Sequence, residues 1–577
     1  MAAKGRLSLA MTTTIAKQWQ LPSPPRAHSL PSDVPLPVVQ ILLARGIDTA
    51  EKLRYFLDPP QSLPYDPLRL AGMEQALARL YQAVSNKEKV GIFGDFDVDG
   101  VTGTAIVAEG LTSLGVQVVP YLPQRMVEGH GLSKAAVENL VQQGVSLIIT
   151  VDTGVTSIEE VAHARNIGAD VIITDHHVPH AEMPDAVAVL NPKLPGGSYP
   201  FLDLCGAGLA FKLMQGLYQF YGQPWASGLL ELAALGTIAD LVPLVDENRY
   251  LVQQGLRELA NTKRPGLQAL YRRAGVETEG LNAETVSFQI APRLNSAGRL
   301  AHAMDSFRLL TTESQSEAEG LADKLEDLNR QRRDISEKAF TLALEQVNIR
   351  YSGGLPPIVV VQDPRINPGV SGLVAGRLAE LLHRPAVVVC GDGDRLVASG
   401  RSIPAFNIVE AFEACQSLMV RHGGHAQAAG FTVERDNLPA LTENLTAVAE
   451  EALAHTDLQP RLAIDAQVRL SELGNGVTDW LSTLEPFGPT NPAPLFLTTG
   501  ARILGIRYMG NVGQHLKLRV SDEGNEWNAL AFNQGEDASG WISEGDQVDL
   551  VYTVISDRFQ GPGALALRVV DFHLSGG

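Results

Sequence analysis

The chain is poor in cysteine, in aromatic residues and in positive charge. It holds 3 cysteines among 577 residues, and Cys205, Cys390 and Cys415 stand far apart. They show neither the paired spacing of a zinc site nor the density of a disulfide scaffold, and read as buried apolar fillers in a reducing cytoplasm. No uninterrupted apolar run of about 18 residues occurs, so the sequence offers no membrane-spanning segment. The apolar stretch in "MAAKGRLSLAMTTT" is too short for a convincing signal peptide. Lysine and arginine number 46 against 65 acidic residues, a formal net charge of −19. That balance argues against a general affinity for polyanions, although a local groove can still bind phosphate and bound cations would neutralise part of the excess.

What is present describes an ordinary globular protein, 45% hydrophobic and 19% charged. Its length exceeds what one core supports, and about three or four domains are expected.

The most unusual stretch is "GIFGDFDVDG", residues 91–100. Two carboxylates about 4 Å apart repel by roughly 4 kcal/mol at an effective dielectric near 20, so crowding Asp95, Asp97 and Asp99 is costly unless cations sit among them. D-x-D-x-D-G also opens an EF-hand calcium loop, but loop position 12 would be Ile106, which cannot ligate, and the preceding "KVGIFG" is strand-like. On a strand, alternate residues share a face. The expectation is therefore a strand tip with three convergent carboxylates, while Phe96 and Val98 point into packing.

Downstream, helical patterns alternate with Val/Ile-rich runs: "TAIVAEGLTSLG", "VQVVPYLP", "SKAAVENLVQQG", "VSLIITVDTG", "SIEEVAHARNIG" and "ADVIITDHH". This is the pattern of a doubly wound parallel sheet buried on both faces. Asp152 follows one strand and Asp175, His176 and His177 follow the next, where such sheets bind ligands. Asp240 adds a further carboxylate in "GTIADLVPL" after a helical segment. Hard carboxylate oxygens with one or two imidazoles favour Mn²⁺ or Mg²⁺. Two such ions would clamp a phosphoryl group and activate a water.

"GDFDVDG", "VDTG", "TDHH" and "GTIADLVPL" resemble the successive motifs of the DHH phosphoesterase superfamily, and within it the single-strand-specific 5′ to 3′ DNA exonucleases. The likeness covers nearly the whole chain, including "FLDPP…YDPLRLAGMEQALARL", "YLPQRMVEGHGLS", "LNPKLPGGSYPFLDLCGAGLAFKL" and "APRLNSAGRL". It implies two divalent ions, with Asp95 and Asp97 on one, Asp99, His176 and Asp240 on the other, and Asp152 bridging. His177 would lie beside the reacting phosphate and Asp175 would orient the imidazoles. Arg293 and Arg299, flanking Asn295, offer guanidinium forks for phosphate oxygens. Arg125 is similar to a phosphate-contacting arginine of the family. His130 stands where a tyrosine is usual.

The run 312–351 reads as one long connecting helix whose apolar stripe is core packing. From 352 to 457 a second, smaller α/β unit resembles the DHH-associated domain. There Gly423, Gly424 and His425, with a helix expected to follow, would approach phosphate, and Arg401, Ser402, Gly424 and His425 would hold the substrate strand. Ile366 and Asn367 replace a Trp-His pair common in the family. The last segment, 458–577, has short alternating runs; "HLKLRV" sets Leu516, Leu518 and Val520 inward against His515, Lys517 and Arg519. With Trp527, Phe532, Tyr552 and Phe559 it suits a β-barrel OB-fold that stacks single-stranded bases. "PFGPTNPAP", residues 486–494, resembles the family's linker into that barrel.

The expected architecture is an α/β multidomain chain: an N-terminal lead-in, 1–80, packing on the catalytic domain; a DHH domain, 81–311; the long helix; the DHH-associated domain; and the OB-fold. The expected function is a cytoplasmic, monomeric, two-metal exonuclease acting in DNA repair and recombination, with single-stranded DNA threaded between the DHH and DHH-associated domains, served by a helicase and a single-strand-binding protein. An alternative is a phosphodiesterase of the same superfamily acting on short oligonucleotides or cyclic dinucleotides, which would share every metal motif. A noncatalytic DNA-binding scaffold is disfavoured because every expected ligand is present.

Overall fold

The computed structural model describes residues 17–22, 27–58, 64–125, 127–474, 476–510, 512–535, 540–557, 560–561 and 563–576. They form two compact units. One gathers 54–332 with 484–492, and the other gathers 333–483 and 493–577 with the described residues up to Leu53. The expected lead-in is therefore divided. Strand Gln18–Gln20 pairs in parallel with Arg461–Ala463, far along the chain, whereas helix Met73–Ser85 packs into the core of the other unit. Strand pairing across more than 400 residues has no local sequence signature, so the split was not legible.

In the unit containing 54–332, five parallel strands run in the order Gln117–Tyr121, Lys89–Gly94, Val145–Val151, Asp170–Thr174 and Ala188–Leu190. Both faces are covered, as continuous apolar strands require. Val90, Ile92, Leu147 and Ile149 join the larger core with helices Val98–Ser113 and Gly206–Phe220, while Phe93, Ile148, Val171 and Ile173 pack on the other side with helix Lys134–Gln142. The chain leaves Lys89–Gly94 toward one edge and returns to its opposite side at Val145–Val151. That reversal opens a crevice beyond the carboxyl ends of these two strands. No helix among the described residues is long and apolar enough to cross a membrane.

The long helix is Gln315–Arg350. Ala318, Leu321, Ala322 and Leu325 bury in the first unit's core and Ala339, Ala343 and Val347 in the second's. In the second unit a five-stranded sheet has the order Met419–His425, Ala428–Glu434, Arg395–Arg401, Ala386–Cys390, Val359–Gln362, parallel only in its last pair. Here one expectation is corrected: Gly423, Gly424 and His425 lead into a hairpin with Ala428–Glu434, and no helix follows them. Gly424 has φ 140, and a Cβ there would come within 2.5 Å of the Ala428 carbonyl, so the tight turn itself calls for glycine. Ile366 is buried in the core, and Asn367 caps helix Pro368–Leu382 by accepting the Gly369 N–H.

The C-terminal segment closes into a five-strand barrel, because Phe496–Met509 pairs with both His515–Asp522 and Gln547–Ser556. Leu516, Leu518 and Val520 are fully buried and Arg519 is exposed, as the alternation requires. Of the four aromatics, Phe532 is exposed and Trp527 half-buried, but Tyr552 lies in the core with its hydroxyl 2.8 Å from Thr498 Oγ1; Phe559 lies outside the described residues. All three cysteines are free and buried.

Candidate metal centre

Three backbone hydrogen bonds carry the sheet ladder one residue past its strands: Asp95 N–H to Val151 O, Asp152 N–H to Thr174 O and Asp175 N–H to Leu190 O. The three aspartates therefore stand in register along the carboxyl edge. Asp152 adopts φ +62, a left-handed conformation that aspartate tolerates better than most residues.

The acidic turn is built differently from the strand tip expected. Strand Lys89–Gly94 stops before Asp95, and Asp97 is the N-cap of helix Val98–Ser113, accepting the N–H groups of Asp99 and Gly100 at 3.0 and 3.1 Å. Free amides at a helix start attract a carboxylate more strongly than an extended backbone does, and this breaks the strand period. Convergence arises from strand end, cap and first helical turn together. Phe96 and Val98 are buried, as anticipated.

Asp99 receives a second helix. The N–H groups of Gly206 and Ala207, opening Gly206–Phe220, donate to its two oxygens at 2.6 and 2.8 Å. Gly206 is required by the close approach, since a Cβ there would lie 2.9 Å from Asp152 Cα. Asp240 caps the carboxyl end of helix Leu229–Ala239. His176 Nε2 stands 3.1 Å from Asp152 Oδ1, 3.7 Å from Asp240 Oδ2 and 4.0 Å from Asp99 Oδ2. Three overlapping groups offer ligand atoms within 4.8 Å of one another: Asp95, Asp97 and Asp152; Asp99, His176 and Asp240; and Asp152, His176 and His177.

The electrostatics are those of a site made for cations. Burial, then the charges of Asp99, Asp97, Asp240 and Asp95, push the Asp152 carboxyl well above the usual range. Burial and Asp99 do the same to Asp240, and burial with Asp97 raises Asp99 to about 6. Asp95 Oδ1 is buried without a hydrogen-bond partner, which only a ligand can relieve. Asp175 behaves oppositely. Burial would raise it, but the bond from His177 Nδ1 at 2.6 Å and the N–H groups of Val155 and His177 outweigh burial and hold it below the ordinary carboxylate range. The same pairing overcomes burial to raise His177.

The other anticipated residues fall into three settings. Arg125 stacks over the Phe96 ring at 4.9 Å and faces the charges of Asp95 and Asp97. His130 sits against the same ring at 4.3 Å, its Nδ1 3.3 Å from Asp95 Oδ2. Asn295 and Arg293 have structural partners instead of open forks. Asn295 Oδ1 accepts the Val98 N–H at 3.1 Å, so Val98, Asp99 and Gly100 all donate to side chains; Arg293 is paired with Glu326 and the Gln289 carbonyl. Arg299 lies in the last turn of helix Ala291–Leu300. Arg401 ends a strand of the second unit, Ser402 Oγ donates to Phe406 O at 2.6 Å, and Gly424 and His425 lie on the hairpin. Lys193, in "LNPKLPGG", was missed: its Nζ donates to the His176 carbonyl at 2.7 Å. A lysine beside an Asn-Pro turn directly after a strand was the only available signal.

A parallel sheet with carboxylates and histidines along its carboxyl edge defines a DHH-type phosphoesterase domain. Family models agree: "DHH family, N-terminal domain" matches residues 89–237, "DHHA1 domain" 356–451 and "RecJ OB domain" 464–571. The chain belongs to the RecJ family. It is 34% identical over 565 residues to the single-stranded-DNA-specific exonuclease RecJ of Salmonella typhimurium, covering 94% of this chain and 96% of that one. It is 39% identical to the Bacillus subtilis RecJ over 89% of this chain, but spans 65% of that relative's length. The crystal structure of Thermus thermophilus RecJ in complex with Mn²⁺ superimposes with a TM-score of 0.81 at 30% identity, over 97% of this chain and 80% of that one; an Mg²⁺ complex also matches, at 0.75.

Proposed function

We propose that this chain is a metal-dependent exonuclease that hydrolyses phosphodiester bonds of single-stranded DNA from the 5′ end, in DNA repair and recombination. The observation that carries the reading is the convergence of Asp95, Asp97, Asp99, Asp152 and Asp240 on His176, with Asp95 Oδ1 buried and unpartnered. Such a donor set of hard oxygens and imidazole nitrogen fits Mn²⁺ or Mg²⁺. Asp95, Asp97 and Asp152 would hold one ion, and Asp99, His176 and Asp240 the other, with Asp152 shared. Ions bound there supply Lewis acidity and an activated water.

The chain's own residues do the rest. The amides of Gly206 and Ala207 lock Asp99, and the Asp97 and Asn295 caps fix the first turn from which it projects. Asp175 holds His177 in its charged form, a cation beside the reacting phosphate. Arg125 and Arg299, with Arg401, Ser402, Gly424 and His425, would grip the strand. The specificity for single strands and the 5′ to 3′ direction follow the RecJ relatives. A cytoplasmic monomer handed its substrate by a helicase and a single-strand-binding protein completes the reading.

The test is digestion of long single-stranded DNA labelled separately at each end, with Mn²⁺, comparing wild type with Asp152→Ala. Immediate release of the 5′ label as mononucleotide, abolished by the substitution, supports the proposal. Cleavage of cyclic or short dinucleotides with long DNA left intact refutes it.

A further inference from the structure

The carboxylate cluster is flanked by cations on two sides. Arg125 and His177 face Asp95 and Asp97, and Lys193 faces Asp240. Arg125 and His177 have partners, the Phe96 ring and Asp175. Lys193 is half-buried and makes no ion pair among the described residues; the acceptor it reaches is a neutral carbonyl, His176 O.

Its position is rigid. Strand Ala188–Leu190 ends in the ladder bond to Asp175, and Asn191 then locks the turn from both sides. Asn191 is 1% exposed; its Nδ2 donates to His177 O at 2.8 Å and its Oδ1 accepts the Lys193 N–H at 2.8 Å. The turn that presents the two histidines is thereby tied to the turn that presents the lysine. An ammonium has three donors, and one reaches His176 O, leaving two for a ligand. In the metal-loaded site Asp240 is committed to an ion, so the anion that completes Lys193 must come from outside the protein.

We propose that Lys193 is a phosphate-binding residue of this site, meeting a non-bridging oxygen of the strand's phosphodiester on the Asp240 side of the cluster. The assignment rests on the function proposed above. Preorganisation by Asn191 gives the ammonium a fixed place at which phosphate replaces water, and the contact sets substrate grip more than metal affinity.

The experiment measures binding and Mn²⁺-dependent cleavage of single-stranded DNA over a range of salt for wild type, Lys193→Met and Lys193→Arg. Losing one phosphate contact lowers the slope of log affinity against log salt by about 0.7 for a single strand. We expect Lys193→Met to show that smaller slope and a KM raised about tenfold, the size of one lost charge-assisted hydrogen bond, with Mn²⁺ affinity and Tm unchanged. Lys193→Arg restores the slope, a readout that a purely structural role would not move. An unchanged slope in Lys193→Met, with Mn²⁺ affinity or Tm reduced, overturns the assignment and leaves Lys193 as a strut of the histidine turn. If wild type neither binds nor cuts single strands, the function itself falls and takes this assignment with it, whereas active wild type with an indistinguishable Lys193→Met removes Lys193 alone.

Discussion

Replacing a candidate ligand should stabilise this protein when metal is withheld. Asp152 lies under the charges of Asp99, Asp97, Asp240 and Asp95 at once. One close carboxylate pair costs roughly 4 kcal/mol at an effective dielectric near 20, and the raised proton affinities show that the cluster sheds part of this by keeping protons. Asp152→Asn removes one charge while retaining shape, an acceptor for His176 at 3.1 Å, and tolerance of the φ of +62. Weakening the His176 contact from charged to neutral offsets about 1 kcal/mol of the gain. A net gain of about 1–2 kcal/mol remains, which for a unit of this size raises Tm by about 3–6 °C. Differential scanning calorimetry in chelator at pH 7.5 measures it. Mn²⁺ then reverses the order: at a hundredfold excess over Kd it stabilises wild type by about 2.7 kcal/mol, and the variant by much less. A variant that melts below wild type in chelator, or gains as much from Mn²⁺, would refute the view of Asp152 as a strained shared ligand.

Chelated wild-type protein loses stability as pH rises from about 4 to above 6. Asp99, at about 6 when folded, binds its proton more tightly than in the unfolded chain, so its contribution is full below the unfolded value near 3.9 and gone above 6, about 3 kcal/mol for this group. A flat urea-midpoint profile across that window would contradict the folded-state value. Asn295→Ala uncaps the Val98 amide and lowers stability by about 1 kcal/mol while weakening Mn²⁺ binding, both read from Mn²⁺-dependent melting curves. Asp175→Asn frees His177 and reduces activity or metal affinity by roughly 10- to 100-fold, measured as kcat and by Mn²⁺ titration. Phe532→Ala weakens single-strand affinity by about 1–3 kcal/mol in a fluorescence-anisotropy titration if bases stack on it, whereas Tyr552→Ala lowers Tm because that ring is core.

Much of this protein was legible because it is written in local patterns. Val/Ile runs buried on both faces announce parallel strands, and a polar cluster directly after each run has nowhere to go but the carboxyl edge; Asp95, Asp152, Asp175, His176 and His177 were found that way. The alternation in "HLKLRV" likewise placed Leu516, Leu518 and Val520 inside a barrel. Local patterns cannot choose between partners of similar chemistry. Asp97 in a D-x-D-x-D-G run can continue a strand or cap a helix, and the free amides of Val98–Ser113 decided for the cap. Arg293 read as a phosphate fork and is held by Glu326, 33 residues away; Asn295 read as a substrate contact and caps Val98, 197 residues away. The sequence alone determined which residues carry charge and metal-binding chemistry, and at which strand ends they stand. Only the tertiary structure decided which of those charges already have partners inside the protein, because hydrogen bonds and ion pairs saturate on neighbours that meet in space and not along the chain.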